Sequence, residues 1–413
     1  MKILIVTPYL PHPLSGNGAS VYLYKLLEHM VRRHEVTVVS FCDARELKLS
    51  ADLKKLPVRG YFLPRVKGPG AGVTGSVRLA AVRSLQLLMS FLLWEPYYVS
   101  KYRHPGMFRL IRRLTREESY DIVRFEFAYM GQYVGSVGGG RTVLHEIDVT
   151  FRPAYRRYRR AGTVIKKAVA FVEFCRWARY EPRVARRFDR VICLTEQDRM
   201  LLERLTKGKN VEYVPLAFDT PGEVPLFGTR EPQSLVFVGS YSHRPNVDAA
   251  LWLMSEIYPA LLRKFPLSKL LVIGPHPPGE FRAFPGRFPG ISILGFVDDV
   301  NLYLGKCGVF VAPLRFGGGV KTKILSAMAQ GIPVVTTKVG IEGIDGILPD
   351  TALVGESTER LVEHIGYLFE HPATAERMGR TGRDLIRKHY SWESVIERFE
   401  GIMDRMVGEK KPR

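Results

Sequence analysis

The chain has 413 residues, 46% of them hydrophobic and 25% charged, which exceeds one ordinary core and predicts two domains of roughly 150–200 residues each. Four widely spaced cysteines without a CxxC pair speak against a disulfide framework or a cysteine zinc site and fit reduced thiols in a cytosolic enzyme. A formal net charge of +20 points to nucleic acid, an anionic membrane or a phosphorylated substrate, or else to a solvated basic face, and no nucleic-acid motif accompanies it.

The opening Met1-Lys2-Ile3-Leu4-Ile5-Val6-Thr7 has too short an apolar run for a signal peptide, so residues 3–7 read as a first strand. Residues 18–31 follow as a helix, with Val21, Leu23, Tyr24, Leu27 and Met30 at roughly helical spacing, and residues 35–40 as a strand. The longest apolar stretch, residues 85–94, contains Gln86 and Ser90 and falls well short of the ~20 residues a membrane span needs. Further strands are expected at 122–125, 142–144 and 190–194, the last leading through Thr195 as N-cap into a helix over 196–205. Between 152 and 190 there are 13 Lys/Arg and 3 Asp/Glu, a local excess of +10.

After a Pro- and Gly-rich loop at 215–232 the alternation restarts. Short β-rich runs fall at 235–238, 269–273, 291–294, 308–312 and 333–336, with helices at 246–264 and 320–330 and a last one after Ser391. Alternating strands and helices predict an α/β chain of two doubly wound parallel sheets. The expected division is 1–220, 221–390 and a final segment 391–413.

Three glycine turns carry the chemistry. Gly16-Asn17-Gly18 lies between the first strand and first helix, where backbone amides approach an anion. Val21 stands where a dinucleotide fingerprint needs Gly or Ala, and no Walker lysine follows, which sets NAD and P-loop readings aside. Gly239-Ser240 ends the first strand of the second half, with Asn246 as expected N-cap of the next helix. The strongest signal is Gly317-Gly318-Gly319-Val320-Lys321-Thr322-Lys323. Three glycines expose amides at a helix start, and two lysines sit there against the macrodipole, an arrangement that a pyrophosphate offsets.

The chain resembles the family-4 glycosyltransferases of GT-B fold, in the subgroup with a Gly-Gly-Gly-x-Lys donor-phosphate turn. The resemblance rests on Phe237-Val238-Gly239, Arg244-Pro245-Asn246, Gly295-Phe296-Val297-Asp298-Asp299, Ala312-Pro313-Leu314, the glycine–lysine turn with Ile324-Leu325-Ser326-Ala327-Met328-Ala329, and Gly331-Ile332-Pro333. The Gly16/Gly18 turn, Phe188-Asp189-Arg190-Val191 and Tyr390-Ser391-Trp392-Glu393 extend it over nearly the whole chain. It implies retaining transfer from a UDP- or GDP-sugar held between two domains, without cofactor or bound metal; no Asp-x-Asp motif occurs. Gly16, Gly18, Gly239, Ser240, Phe296, Val297, Gly317, Gly318, Gly319, Lys321, Lys323 and Ser326 become candidate donor contacts. The sequence departs from the family where Gly318 and Ser326 replace two glutamates that contact the donor. His145, in Leu144-His145-Glu146-Ile147-Asp148, resembles the cleft histidine that contacts the transferred sugar. Glu126 and Asp148 are candidates for placing an acceptor or sugar hydroxyl, with a structural ion-pair partner the competing reading for Glu126.

The expectation is a cytoplasmic glycosyltransferase of surface polysaccharide or glycolipid assembly, acting on a lipid-linked or glycan acceptor. The basic segment 152–190 and the apolar helix near 80–94 would hold it on an anionic bilayer. A sugar-nucleotide epimerase and a non-catalytic sugar-nucleotide-binding subunit stay open as alternatives.

Overall fold

The computed structural model describes residues 1–13, 18–53, 55–64, 72–208, 210–222, 227–347 and 349–409. Two compact units divide the chain: Met1–Val214 with Ile396–Arg413, and Pro215–Val395.

The first unit holds seven strands: β1 Lys2–Thr7, β2 Glu35–Cys42, β3 Val58–Pro64, β4 Ile122–Glu126, β5 Arg141–Glu146, β6 Arg190–Cys193 and β7 Val211–Tyr213. They pair in the order β3-β2-β1-β4-β5-β6-β7, every pairing parallel. The second unit holds β8 Glu231–Val238, β9 Lys269–Ile273, β10 Ile291–Gly295, β11 Cys307–Ala312, β12 Val334–Thr336 and β13 Ala352–Val354, ordered β10-β9-β8-β11-β12-β13 and again all parallel. In each sheet the order reverses once, between β1 and β4 and between β8 and β11. At such a switch point the loops after neighbouring strands run to opposite faces and leave a crevice at the strands' carboxyl ends.

The strands are continuous apolar runs because both faces of a parallel sheet are covered. Side-chain alternation then splits each run between two cores. Leu235, Phe237, Val309 and Val311 pack with Trp252, Leu253 and Ile257 on one face of the second sheet. Val236, Phe310 and Ala312 pack with Ile324, Leu325 and Met328 on the other.

Three local differences from the sequence reading have simple causes. The helix expected at 246–264 starts earlier, at Arg244, capped by His243, and is interrupted by a π turn over Leu253–Ile257. Pro259 follows that turn and has no N–H to donate, so the ladder is already one bond short there. Asn246 is therefore not the N-cap; its amide has other partners. The strands β3, β7 and β13 were not expected: β7 and β13 have three residues each, too few to show a period, and β3 carries Arg59 and Gly60 in mid-strand.

The last helix, Trp392–Gly408, starts in the second unit and ends in the first. Ser391 caps it by accepting from Ser394 N at 3.3 Å. Farther along, Glu400 pairs with Arg33 at 2.7 Å and His34 at 3.1 Å.

Candidate functional site

In the second unit the loops after β8 and β11 meet at the switch point. Gly317 and Gly319 have φ of 142° and 66°, conformations that favour glycine, and the turn leads into the helix Thr322–Ala329. Gly239 is required for a different reason: a Cβ there would lie 2.9 Å from Asn246 Cγ. Asn246 holds the two loops together. Its Nδ2 donates to Ser240 O at 2.7 Å, and its Oδ1 accepts from Lys323 Nζ.

The two lysines differ. Lys321 is buried and folds back on its own turn, donating to Gly319 O at 2.6 Å. Lys323 reaches across to Asn246 and lies 5.1 Å from the centre of the Phe237 ring. Burial, reinforced by the charge of Lys321, pushes its pKa down to about 8. Its polar partner is a neutral amide, and no described carboxylate pairs with it. An ammonium partly withdrawn from water without a counter-charge is unfavourable, and it stands at a helix N-terminus, where an anion is favoured.

Of the remaining donor candidates in this unit, Ser240 follows β8, and Gly318 and Ser326 follow β11. Ser240, Lys323 and Ser326 are half-buried, and Gly318 is exposed. Ser326 lies one helical turn past Lys323 and shares its face. Phe296 is 70% exposed just beyond β10, with Val297 half-buried beside it. β10 is three strands from β11, the strand that leads into the glycine–lysine turn, a separation of roughly 14 Å at ~4.8 Å per strand. Gly16 lies outside the described residues; Gly18 is exposed at the start of the helix Gly18–Met30.

The first-unit candidates fall in two settings. His145 is fully buried, not an open strand-end group. Its Nδ1 lies 2.6 Å from Glu126 Oε2 and 2.9 Å from Arg124 Nη2, and its ring packs edge-on to Phe399. The parallel register sets Glu126 beside His145, and two-residue alternation sets Arg124 on the same face. The helix Trp392–Gly408 then lays Phe399 against His145 and Arg124, 4.4 Å from the Arg124 guanidinium. Burial, with the charge of Arg124, outweighs the pull of Glu126 and lowers the His145 pKa. Glu126 is likewise enclosed, with Oε1 accepting from Arg124 Nε at 2.5 Å. Burial opposes its charge, but Arg124 and His145 hold its pKa below the usual carboxylate range. Both residues are thus members of a buried ionic trio, while Asp148 is exposed in the loop after β5.

Two features of this unit were missed. Glu146 points to the opposite face from His145, and burial and the neighbouring Glu181 raise its pKa well above the ordinary range. Glu181 accepts from Thr150 N at 2.5 Å and Phe151 N at 2.9 Å, and burial pushes it up to about 8. The second feature is a surface. Leu88, Phe91, Leu92, Leu93 and Trp94, at the end of the helix Gly72–Leu92, are 45–66% exposed. Val164, Ile165 and Val169, opening the helix Val164–Ala185, are 66–86% exposed. Arg176 joins the two helices, with its guanidinium 5.0 Å from the Trp94 ring and Nη1 3.2 Å from Ser90 Oγ. Among the described residues no helix is long and apolar enough to cross a membrane.

Two parallel doubly wound units, joined so that the last helix returns to the first, define the GT-B class of fold. Residues 17–217 match the model of the glycosyl transferase 4-like domain, and residues 232–371 that of the glycosyl transferases group 1. The chain is similar to an uncharacterised 44.6 kDa protein from the cps region of Klebsiella pneumoniae, 22% identical over 96% of this chain and 98% of that one. It is also similar to a GDP-mannose-dependent monoacylated alpha-(1-6)-phosphatidylinositol monomannoside mannosyltransferase of Corynebacterium glutamicum, 27% identical over 35% of this chain and 41% of that one. Among solved structures, the UDP complex of Anabaena HepE superposes with a TM-score of 0.64, at 14% identity over 98% of this chain and 100% of that one. The chain belongs to the GT-B glycosyltransferases.

Proposed function

We propose that the chain transfers a sugar, with retention, from a UDP- or GDP-sugar to a lipid-linked or glycan acceptor in surface polysaccharide or glycolipid assembly. The observation that carries the donor half is Lys323, a half-buried cation at a glycine-lined helix start whose polar partner is a neutral amide. The donor diphosphate supplies the missing counter-charge. Lys321, Lys323 and the amides of the glycine turn then meet the negative charge that develops on the leaving diphosphate, without a resident metal. Phe296 and Val297 take the base, and Ser326 takes a donor hydroxyl. In this reading His145 and Glu126 do not touch the sugar; they fix the β4 and β5 ends from which Asp148 and its loop project.

The acceptor half draws on the relatives: the Corynebacterium protein is named for a phosphatidylinositol monomannoside, and the Klebsiella relative for its cps region. The exposed apolar helix ends beside the basic segment fit peripheral docking on an anionic bilayer. A thermal-shift screen of UDP, GDP and their sugars tests the donor assignment, with stabilisation growing with ligand concentration as expected for a native-state ligand. Product analysis with and without lipid extract tests transfer. Free sugar or an epimerised nucleotide formed equally without acceptor would replace transfer with hydrolysis or isomerisation.

A further inference from the structure

We infer that the first unit carries a second phosphate site, a pocket for the headgroup of an anionic phospholipid, formed where Arg179, Arg183 and Arg187 face Arg103 and Trp94. The inference names the lipid contact within the membrane docking proposed above, and it is independent of the donor assignment. The pocket encloses about 180 Å³. Arg179 and Arg183 lie on the helix Val164–Ala185, and Arg187 lies just past its end. The spacing i, i+4, i+8 lines the three up along one face, spanning about 12 Å. Like charges at that spacing repel one another, and none of the three pairs with a described carboxylate. Arg103 does have one, Glu95, the only acidic residue among the described residues that line the pocket. Three positive charges therefore remain uncompensated around one small cavity.

The wall holds two orphaned groups. Gln132 is 9% exposed, and its Nε2 donates to Val99 O and Tyr129 O, both at 2.9 Å. Its Oε1 is buried without a donor, and Arg103 Nε is buried without an acceptor. A phosphate with an adjacent hydroxyl supplies both: acceptor oxygens for the guanidiniums and a donor for Oε1. The choice of a lipid over a soluble phosphate follows from the rim. Leu93 and Trp94 line the pocket and are 46% and 45% exposed, and they continue directly into the exposed Leu88, Phe91 and Leu92. A headgroup seated among the arginines leaves its acyl chains beside the apolar helix end.

The test uses the full chain and vesicles of phosphatidylcholine with or without phosphatidylglycerol, in the absence of any sugar nucleotide. At about fivefold per basic residue near an anionic surface, the triple variant Arg179→Gln/Arg183→Gln/Arg187→Gln loses on the order of a hundredfold in partition to the anionic vesicles. A quadruple variant, Arg156→Gln/Arg157→Gln/Arg159→Gln/Arg160→Gln, removes more charge from the same segment but none from the pocket, so it loses less than the triple variant, whereas a diffuse basic face would cost it about several hundredfold. The reverse order would overturn the pocket and leave a diffuse basic face. Replacing the three arginines with lysine keeps the charge and loses the forked geometry, so partition falls between wild type and the glutamine variant; full binding by it would overturn the site as built. Glycerol 3-phosphate raising the melting temperature of the wild type but not of the triple variant, with vesicle binding unchanged between them, would replace the lipid with a soluble phosphate. UDP and GDP affinity stays at the wild-type value throughout.

Discussion

Replacing Lys323 with methionine removes a charge that the folded protein holds at a disadvantage. The gap between its pKa of about 8 and the ordinary 10.5 corresponds to about 3 kcal/mol opposing the folded state at neutral pH. The unfolded chain binds the proton more tightly, so wild-type stability rises with pH between about 8 and 10.5 as this penalty disappears. Methionine conserves the apolar stem over Phe237 but leaves Asn246 Oδ1 without its donor, which offsets roughly 1–2 kcal/mol. The net expectation is a stabilisation on the order of 1 kcal/mol at pH 7, a few degrees in melting temperature, vanishing by about pH 10. The same substitution abolishes measurable diphosphate binding. In the wild type, affinity for UDP or GDP falls about tenfold between pH 7 and pH 9, because the lysine must be protonated to bind and its free-state pKa is near 8. Urea denaturation across pH and calorimetry at the two pH values measure these effects. A destabilised Lys323→Met at pH 7, together with diphosphate affinity flat between pH 7 and 9, would refute the reasoning.

Asn246→Asp gives Lys323 a fixed counter-charge, so thermal denaturation should show equal or higher stability while calorimetry shows diphosphate affinity down at least tenfold, about 1.4 kcal/mol. Ser326→Glu restores a carboxylate one turn past Lys323 and should tighten the sugar nucleotide relative to the bare diphosphate; a folded variant that binds neither would show a site remodelled around the serine. Glu146→Gln should gain stability relative to wild type as pH rises from 5.5 to 8. The cause is Glu146 itself: burial, reinforced by Glu181, holds its pKa well above its unfolded value, so wild-type stability is full at low pH and falls as pH rises above the unfolded carboxylate pKa, a loss the glutamine does not suffer. A stability difference independent of pH would show that Glu146 titrates in the folded protein as it does in the unfolded chain. Phe399→Ala uncovers the Arg124–Glu126–His145 trio and should cost about 3–5 kcal/mol in urea denaturation, without altering diphosphate affinity.

The doubly wound architecture was legible because parallel strands buried on both faces are continuous Val/Ile/Leu runs, and the glycine turns mark where each run meets its helix. The glycine turn before the helix Thr322–Ala329 was legible for the same reason, in three glycines followed by Lys321 and Lys323. What the linear sequence withheld was side-chain direction and tertiary partnership. His145 and Glu126 end their strands, which suggested open positions, but a one-residue alternation turns His145 under Phe399, about 250 residues away in the chain. Asn246 looked like a helix cap by residue type, whereas its amide is taken by Ser240 and Lys323, a link that only the adjacency of β8 and β11 creates. The arginine stripe 179, 183 and 187 was visible as spacing within a basic segment; that it lines a pocket depended on the distant Arg103, Gln132 and Trp94.

The most direct test of the donor site is a crystal structure of the chain with UDP and with GDP. The account predicts the diphosphate at the carboxyl ends of β8 and β11, its oxygens about 3 Å from Lys323 Nζ and from the amides of the glycine turn, with the base toward Phe296 and Val297. A nucleotide bound elsewhere, with Lys323 still held by Asn246 alone, would contradict it.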